Sequence, residues 1–169
     1  MADNEDYSKP RVGLARNLAR NLLKKARINS YPILIKEIAR QIPELHIDGQ
    51  EMEDGISGLE ATYNGVSFVR YNLRHSAKRN RFTVAHEIGH LLLGHSDNND
   101  STSLGSKNPK EIEANQFAAE LLTPLEMLKI AIHQHKTVSG LAAAFWVSKE
   151  EMNWRVLETN LYCHLESWD

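Results

Sequence analysis

The chain has 169 residues, 41% of them hydrophobic and 25% charged, with a formal net charge of -2. That length can bury one adequate core, and that charge gives no overall attraction to nucleic acid. A single cysteine, Cys163, excludes an internal disulfide and suits a reducing compartment. Residues 1–6 are acidic with no apolar signal-peptide stretch, and no apolar run approaches membrane-spanning length. A cytoplasmic protein without membrane contact is expected.

In chain order, residues 11–27 predict a basic amphipathic helix with Val12, Leu14, Ala15, Leu18, Leu22 and Leu23 on its apolar side. Its arginines and lysines form a solvated face or meet an acidic partner, the former being the simpler reading. Pro32 opens a second helix that runs to about Gln41 and stops at Pro43. Residues 56–63 and 66–71 read as two strands, joined by Asn64-Gly65, a strong hairpin turn. The strand Val66 to Tyr71 is the candidate edge for an extended peptide. A third helix follows from about Ala77 to Leu93. Residues 94–108, rich in Asn, Asp, Ser and Gly, read as a mobile loop. Asn108 then caps a helix that begins at Pro109 and ends by Pro124. Residues 141–157 echo a helix-turn-helix. Trp146, however, stands where such a turn usually has Gly, and the would-be recognition helix opens Lys149-Glu150-Glu151. Paired glutamates repel phosphates, so this segment reads as a structural helical pair and no direct nucleic-acid binding is expected.

The third helix contains His86-Glu87-Ile88-Gly89-His90. Residues four apart share a helix face, so both imidazoles can reach one ion, and Glu87 lies about 100° around, where a general base belongs. The neighbours Phe82, Val84, Ala85, Ile88, Leu91, Leu92 and Leu93 are apolar, and histidines buried among them need partners. His95 is out of register for a third histidine ligand and reads as a helix-end residue near free carbonyls. An acidic third ligand fits better. On a helical wheel of residues 109–124, Glu113 and Glu120 flank the apolar cluster of Ala114, Phe117 and Leu121, while Glu111 points the opposite way, to solvent. Glu113 is therefore expected as third ligand and Glu120 as the group that orients a ligand imidazole. Zinc suits two histidines and a glutamate, and manganese or iron are not excluded. For the oxyanion, Tyr71, His75, His133 and His135 are unranked candidates.

The stretch Arg81-Phe82-Thr83-Val84-Ala85-His86-Glu87-Ile88-Gly89-His90, followed by residues 113–124 (EANQFAAELLTP), resembles the ImmA/IrrE family of metallopeptidases. The family pattern is R-F-T-x-A-H-E-x-G-H, then E-A-N-x-F-A-x-x-L-L-x-P; Thr123 departs from the usual Met. Carried over by position, the resemblance implies His86, His90 and Glu113 as ligands and Glu87 as catalytic base. It also implies a protein substrate, a helix-turn-helix transcriptional repressor. The expected fold is α+β: a mostly helical zincin-like domain with a small antiparallel sheet beside the metal helix. Residues 1–169 would form one metallopeptidase domain, with an N-terminal helix (1–30), a catalytic core (31–125) and a C-terminal helical part (126–169). The expected activity is zinc-dependent hydrolysis of a peptide bond. The alternative is a non-catalytic, metal-stabilised regulator, or a DNA- or repressor-binding module, that acts by sequestration.

Overall fold

A computed structural model describes residues 9–95 and 107–167. Residues 1–8, and 96–106 from the expected loop, lie outside the described residues. Among the described residues the elements are, in order, α1 (Val12–Lys25), α2 (Ile35–Ala39), β1 (Leu45–Gln50), β2 (Gly58–Tyr63), β3 (Val66–Asn72), α3 (Ala77–Leu93), α4 (Pro109–Leu122), α5 (Leu125–His135), α6 (Val138–Phe145) and α7 (Lys149–Glu158). The α+β class is as the sequence predicts: helices dominate, and a three-stranded sheet lies against α3. No helix among the described residues is long and apolar enough to cross a membrane.

Local chemistry sets the helix ends. Ser76 accepts from Arg79 N at 3.3 Å to cap α3, and Asn108 accepts from Lys110 N at 3.0 Å to cap α4. Ser148 and Glu151 form a reciprocal capping box at α7. Helix α3 occupies the predicted span. Helix α2 is shorter than predicted. Ile33 is fully buried and Leu34 is extended, so the chain after Pro32 first enters the core and turns helical only at Ile35.

The hairpin forms as predicted, with Asn64 and Gly65 at φ 50 and 80, the left-handed pair that a tight hairpin turn requires. The sheet itself differs. An additional strand, β1, pairs parallel to β3, giving the order β1-β3-β2, so the sheet is mixed and not wholly antiparallel. Leu45 and Ile47 alternate with exposed His46 and Asp48, a half-buried strand pattern over six residues. Strand β3 is consequently central, with both edges paired. The open edge beside α3 belongs to β2, not to the expected Val66–Tyr71 strand.

Helix α1 buries Ala15, Ala19, Leu22 and Leu23, one stripe at helical spacing. Its basic side meets an acidic partner within the same chain. Arg11 binds Glu113, Arg16 Nε donates to Gln116 Oε1 at 2.8 Å, and Arg20 Nε donates to Glu120 Oε1 at 2.8 Å. Contacts that rise together along both helices mean that α1 and α4 run parallel. At the other end of α4, the buried Arg155 of α7 pairs with Glu120 and Glu158 and donates to Thr123 O at 3.0 Å. Helices α6 and α7 pack through Val138, Leu141, Phe145, Met152 and Val156, a helical pair with Trp146 at φ 54 in its turn. The Arg81 guanidinium sits 4.5 Å from the centre of the Trp146 ring.

Truncating Arg155 would take the buried guanidinium from Glu120 Oε2 and leave that carboxylate only the half-exposed Arg20 as a charge partner. Arg155→Ala is expected to cost about 3–5 kcal/mol, whereas Arg20→Ala, at a side chain 46% exposed, should cost about 1 kcal/mol or less. Denaturant midpoints of the two variants check this; equal losses would contradict it.

Candidate metal centre

His86 and His90 project from one face of α3, and their Nε2 atoms lie 2.9 Å apart. The carboxylate that meets them comes from Glu111. Its Oε2 is 3.2 Å from His86 Nε2, and its Oε1 is 3.0 Å from His90 Nε2. Ligand atoms of these three residues all lie within 4.8 Å of one another, the one such group of three among the described residues. His86, at 0% exposure, and Glu111, at 1%, are sealed from solvent.

The expected third ligand, Glu113, is elsewhere. Its carboxylate takes the backbone N–H of Arg11 at 2.6 Å, Arg11 Nη2 at 3.0 Å and His95 Nε2 at 2.9 Å. The reason lies in α4, whose buried residues include Glu111, Glu113, Ala114, Asn115, Phe117, Ala118, Glu120 and Leu121, nearly its whole circumference. A helix packed between α3 and α1 has two inward directions, and a wheel with one apolar stripe cannot separate them. Glu111 and Asn115, one turn apart, face α3; Glu113 and Glu120, two turns apart, face α1. Glu120 does not orient an imidazole. It pairs with Arg20 and Arg155.

The orienting contacts come from Asn115 and His95. His86 Nδ1 donates to Asn115 Oδ1 at 2.8 Å, which leaves Nε2 with its lone pair towards Glu111. His90 Nδ1 lies 3.0 Å from His95 Nδ1. His95 follows the helix end, as expected, but its side chain turns inward to His90 and Glu113. The Asn115 contact shows in no sequence spacing, because Asn115 reaches His86 only through tertiary packing. Asn115 at least stands inside the second motif block.

Two glycines allow the close approaches. A Cβ on Gly89 would stand 3.2 Å from Ala114 Cα and 3.1 Å from Phe117 Cδ1, so its absence lets α4 come near enough for Glu111 to reach the histidines. A Cβ on Gly58 would meet Thr83 Cγ2 at 2.4 Å and Glu87 Oε1 at 3.2 Å. Edge strand β2 thus begins directly against Glu87.

Electrostatics separate the carboxylates. Burial pushes the Glu87 carboxyl up to about 8, and the charges of Glu111 and Glu60 add to the effect. Burial also opposes ionisation of Glu111, but the two imidazoles beside it outweigh this and hold its carboxyl down to about 2. Burial lowers His86. Glu60, on β2 and unremarked in the sequence, is itself raised by burial. Neither Glu111 oxygen accepts a well-directed hydrogen bond, although both are buried. A buried carboxylate whose two oxygens accept no well-directed hydrogen bond, with two imidazole nitrogens alongside, fits a divalent cation.

The oxyanion candidates do not join this group. Tyr71 and His75 line a cavity of about 470 Å³ beside Ile35, Ile47 and Val84. The exposed His133 ring packs on His164 at 5.8 Å, and His135 packs on Tyr31 at 6.3 Å. No hydrogen bond or ion pair among the described residues links any of the four to His86, Glu87, His90 or Glu111.

A helix bearing His-Glu-x-x-His, a glutamate from the next helix and an adjoining small sheet together define a zincin-like α+β domain. Residues 44–157 match the model of the IrrE N-terminal-like domain, peptidase family M78, and the chain belongs to that family of metallopeptidases. No curated protein matches the chain. Among solved structures it is similar to a Mycobacterium tuberculosis transcriptional regulator, at 17% identity and a TM-score of 0.60. The likeness covers 85% of this chain and 46% of that one, so this chain spans less than half the length of that regulator and shares its fold.

Because Glu111 and not Glu113 faces the histidines, Glu111→Ala is expected to lose stoichiometric zinc after dialysis against a mild chelator. Elemental analysis beside the wild type checks this; full retention would contradict the assignment.

Proposed function

We propose that the chain is a metal-dependent endopeptidase that cleaves a regulatory protein, with His86, His90 and Glu111 holding the ion and Glu87 as general base. The convergence of His86 Nε2, His90 Nε2 and the buried Glu111 carboxylate beside Glu87 carries this reading. Zinc suits the donor set best, and manganese or iron would fit the same atoms. When bound, the ion supplies Lewis-acid chemistry, making water nucleophilic near neutral pH and polarising the scissile carbonyl.

The chain's own residues do the rest. Glu87 takes the proton that the attacking water gives up and delivers it to the leaving amine nitrogen. Its high proton affinity in a buried setting suits that transfer, and a cation next to it favours the ionised form that must act first. The open edge of β2 starts at Gly58, against Glu87, and its free main-chain groups can hold an extended peptide across the site. Burial of the site excludes bulk water, which strengthens each of these interactions.

Family membership supports a peptide-bond hydrolase, and the fold shared with a protein titled a transcriptional regulator supports a regulatory role. A helix-turn-helix repressor is the substrate class we propose. The exposed, unpaired Cys163 is compatible with action in a reducing compartment, the cytoplasm.

Glu87→Gln preserves size and leaves all three ligands in place. It is expected to keep the metal and lower cleavage by about 10²–10⁴-fold. Mass-spectrometric mapping of new N-termini in cells expressing either form reads this directly. Undiminished cleavage would contradict the mechanism, and an unchanged regulatory response without cleavage would favour sequestration.

A further inference from the structure

One chain of contacts has no part in the cleavage chemistry. On the side of His90 away from Glu111, Nδ1 lies 3.0 Å from His95 Nδ1. His95 Nε2 in turn lies 2.9 Å from Glu113 Oε2, and Glu113 is gripped by the backbone N–H of Arg11 at 2.6 Å and by its Nη2 at 3.0 Å. His90, His95 and Glu113 are all buried. Arg11 immediately precedes α1, outside the residues 44–157 that match the family.

The proton positions along this chain follow from its carboxylate end. Glu113 is held ionised by a guanidinium and accepts only, so His95 Nε2 must carry the proton it donates. In a neutral ring His95 Nδ1 is then a bare acceptor. The proton between the two rings therefore sits on His90 Nδ1. That tautomer has its lone pair on Nε2, the atom that faces Glu111 and His86.

We propose that Arg11, Glu113 and His95 form a positioning relay that locks His90 in its ligand tautomer and orientation, so that the N-terminal helix helps to set metal affinity. The inference rests on the reading of His90 as a ligand. A carboxylate behind a hydrogen-bonded ring makes that ring a stronger donor, and the Arg11 fork fixes the carboxylate in turn. Glu113 thus acts through two histidines without reaching the ion. The arrangement also explains why a buried histidine stands two residues past the end of the metal helix.

Chelator-competition titration of the metal-free protein with zinc tests this without any substrate. Wild type, His95→Ala, His95→Gln and Arg11→Ala are compared, with thermal melts of the metal-free forms to confirm folding. His95→Ala is expected to weaken zinc binding about 10–100-fold. His95→Gln can accept from His90 through its amide oxygen and donate to Glu113 through its amide nitrogen, so it should recover most of that loss. A purely structural role would lower the melt and show no such rescue. Arg11→Ala changes only the half-exposed end of the relay and should still weaken binding, by a smaller factor; it decides the matter if His95→Ala does not fold. Affinities within about twofold of wild type in the folded variants would overturn the relay and leave the ligand set standing. A wild-type chain that takes up no zinc would overturn both.

Discussion

Ala114 approaches Gly89 so closely that a single added methyl would stand 3.2 Å from its Cα, and the rest of the site depends on that approach. With α4 pressed onto α3, Glu111 lies between two imidazoles and Asn115 lies behind His86. A larger residue at position 89 would push the helices apart and separate the carboxylate from its histidines. The contact costs little, since helix interiors tolerate a glycine at about 1 kcal/mol relative to alanine. Interiors are close-packed, so a displacement at this one point would pass along both helices to every donor atom.

Charge organises the other side of α4. Glu113, Gln116 and Glu120 are matched in order by Arg11, Arg16 and Arg20 of α1, and Arg155 closes the row from α7. Such pairs add little stability where they are exposed, but buried carboxylates without them would be costly. Their main effect is on register. A slip of α1 along α4 would take Arg11 from the buried Glu113 and Arg20 from Glu120, so α1 has one favoured position. That position brings Arg11 to Glu113, and through His95 to His90.

The sequence made helix α3 legible because its signals are local: an apolar run, and two histidines four residues apart on a helix whose length the structure reproduces. The hairpin was legible for the same reason, through Asn64-Gly65. The carboxylate that faces the two histidines was not. Glu111 and Glu113 stand two positions apart on a helix buried from both sides, and only the tertiary neighbours decide which carboxylate meets histidine and which meets arginine. Strand β1 carries Asp48 and Gly49, poor strand formers, and is joined by no tight hairpin, so it did not stand out, and without it β3 looked like an edge. His95 shows the limit most plainly. The chain direction is consistent with a helix-end residue, while its side chain belongs to a buried network assembled from three helical segments.

The central claim is the identity of the ion's ligands, and a crystal structure of the zinc-loaded protein with anomalous data at the zinc edge tests it most directly. The account predicts one anomalous peak about 2.0–2.1 Å from His86 Nε2 and His90 Nε2 and about 2.0–2.2 Å from a Glu111 oxygen, with Glu113 still held by Arg11. A peak coordinated by Glu113 or His95, with Glu111 turned away, would contradict it.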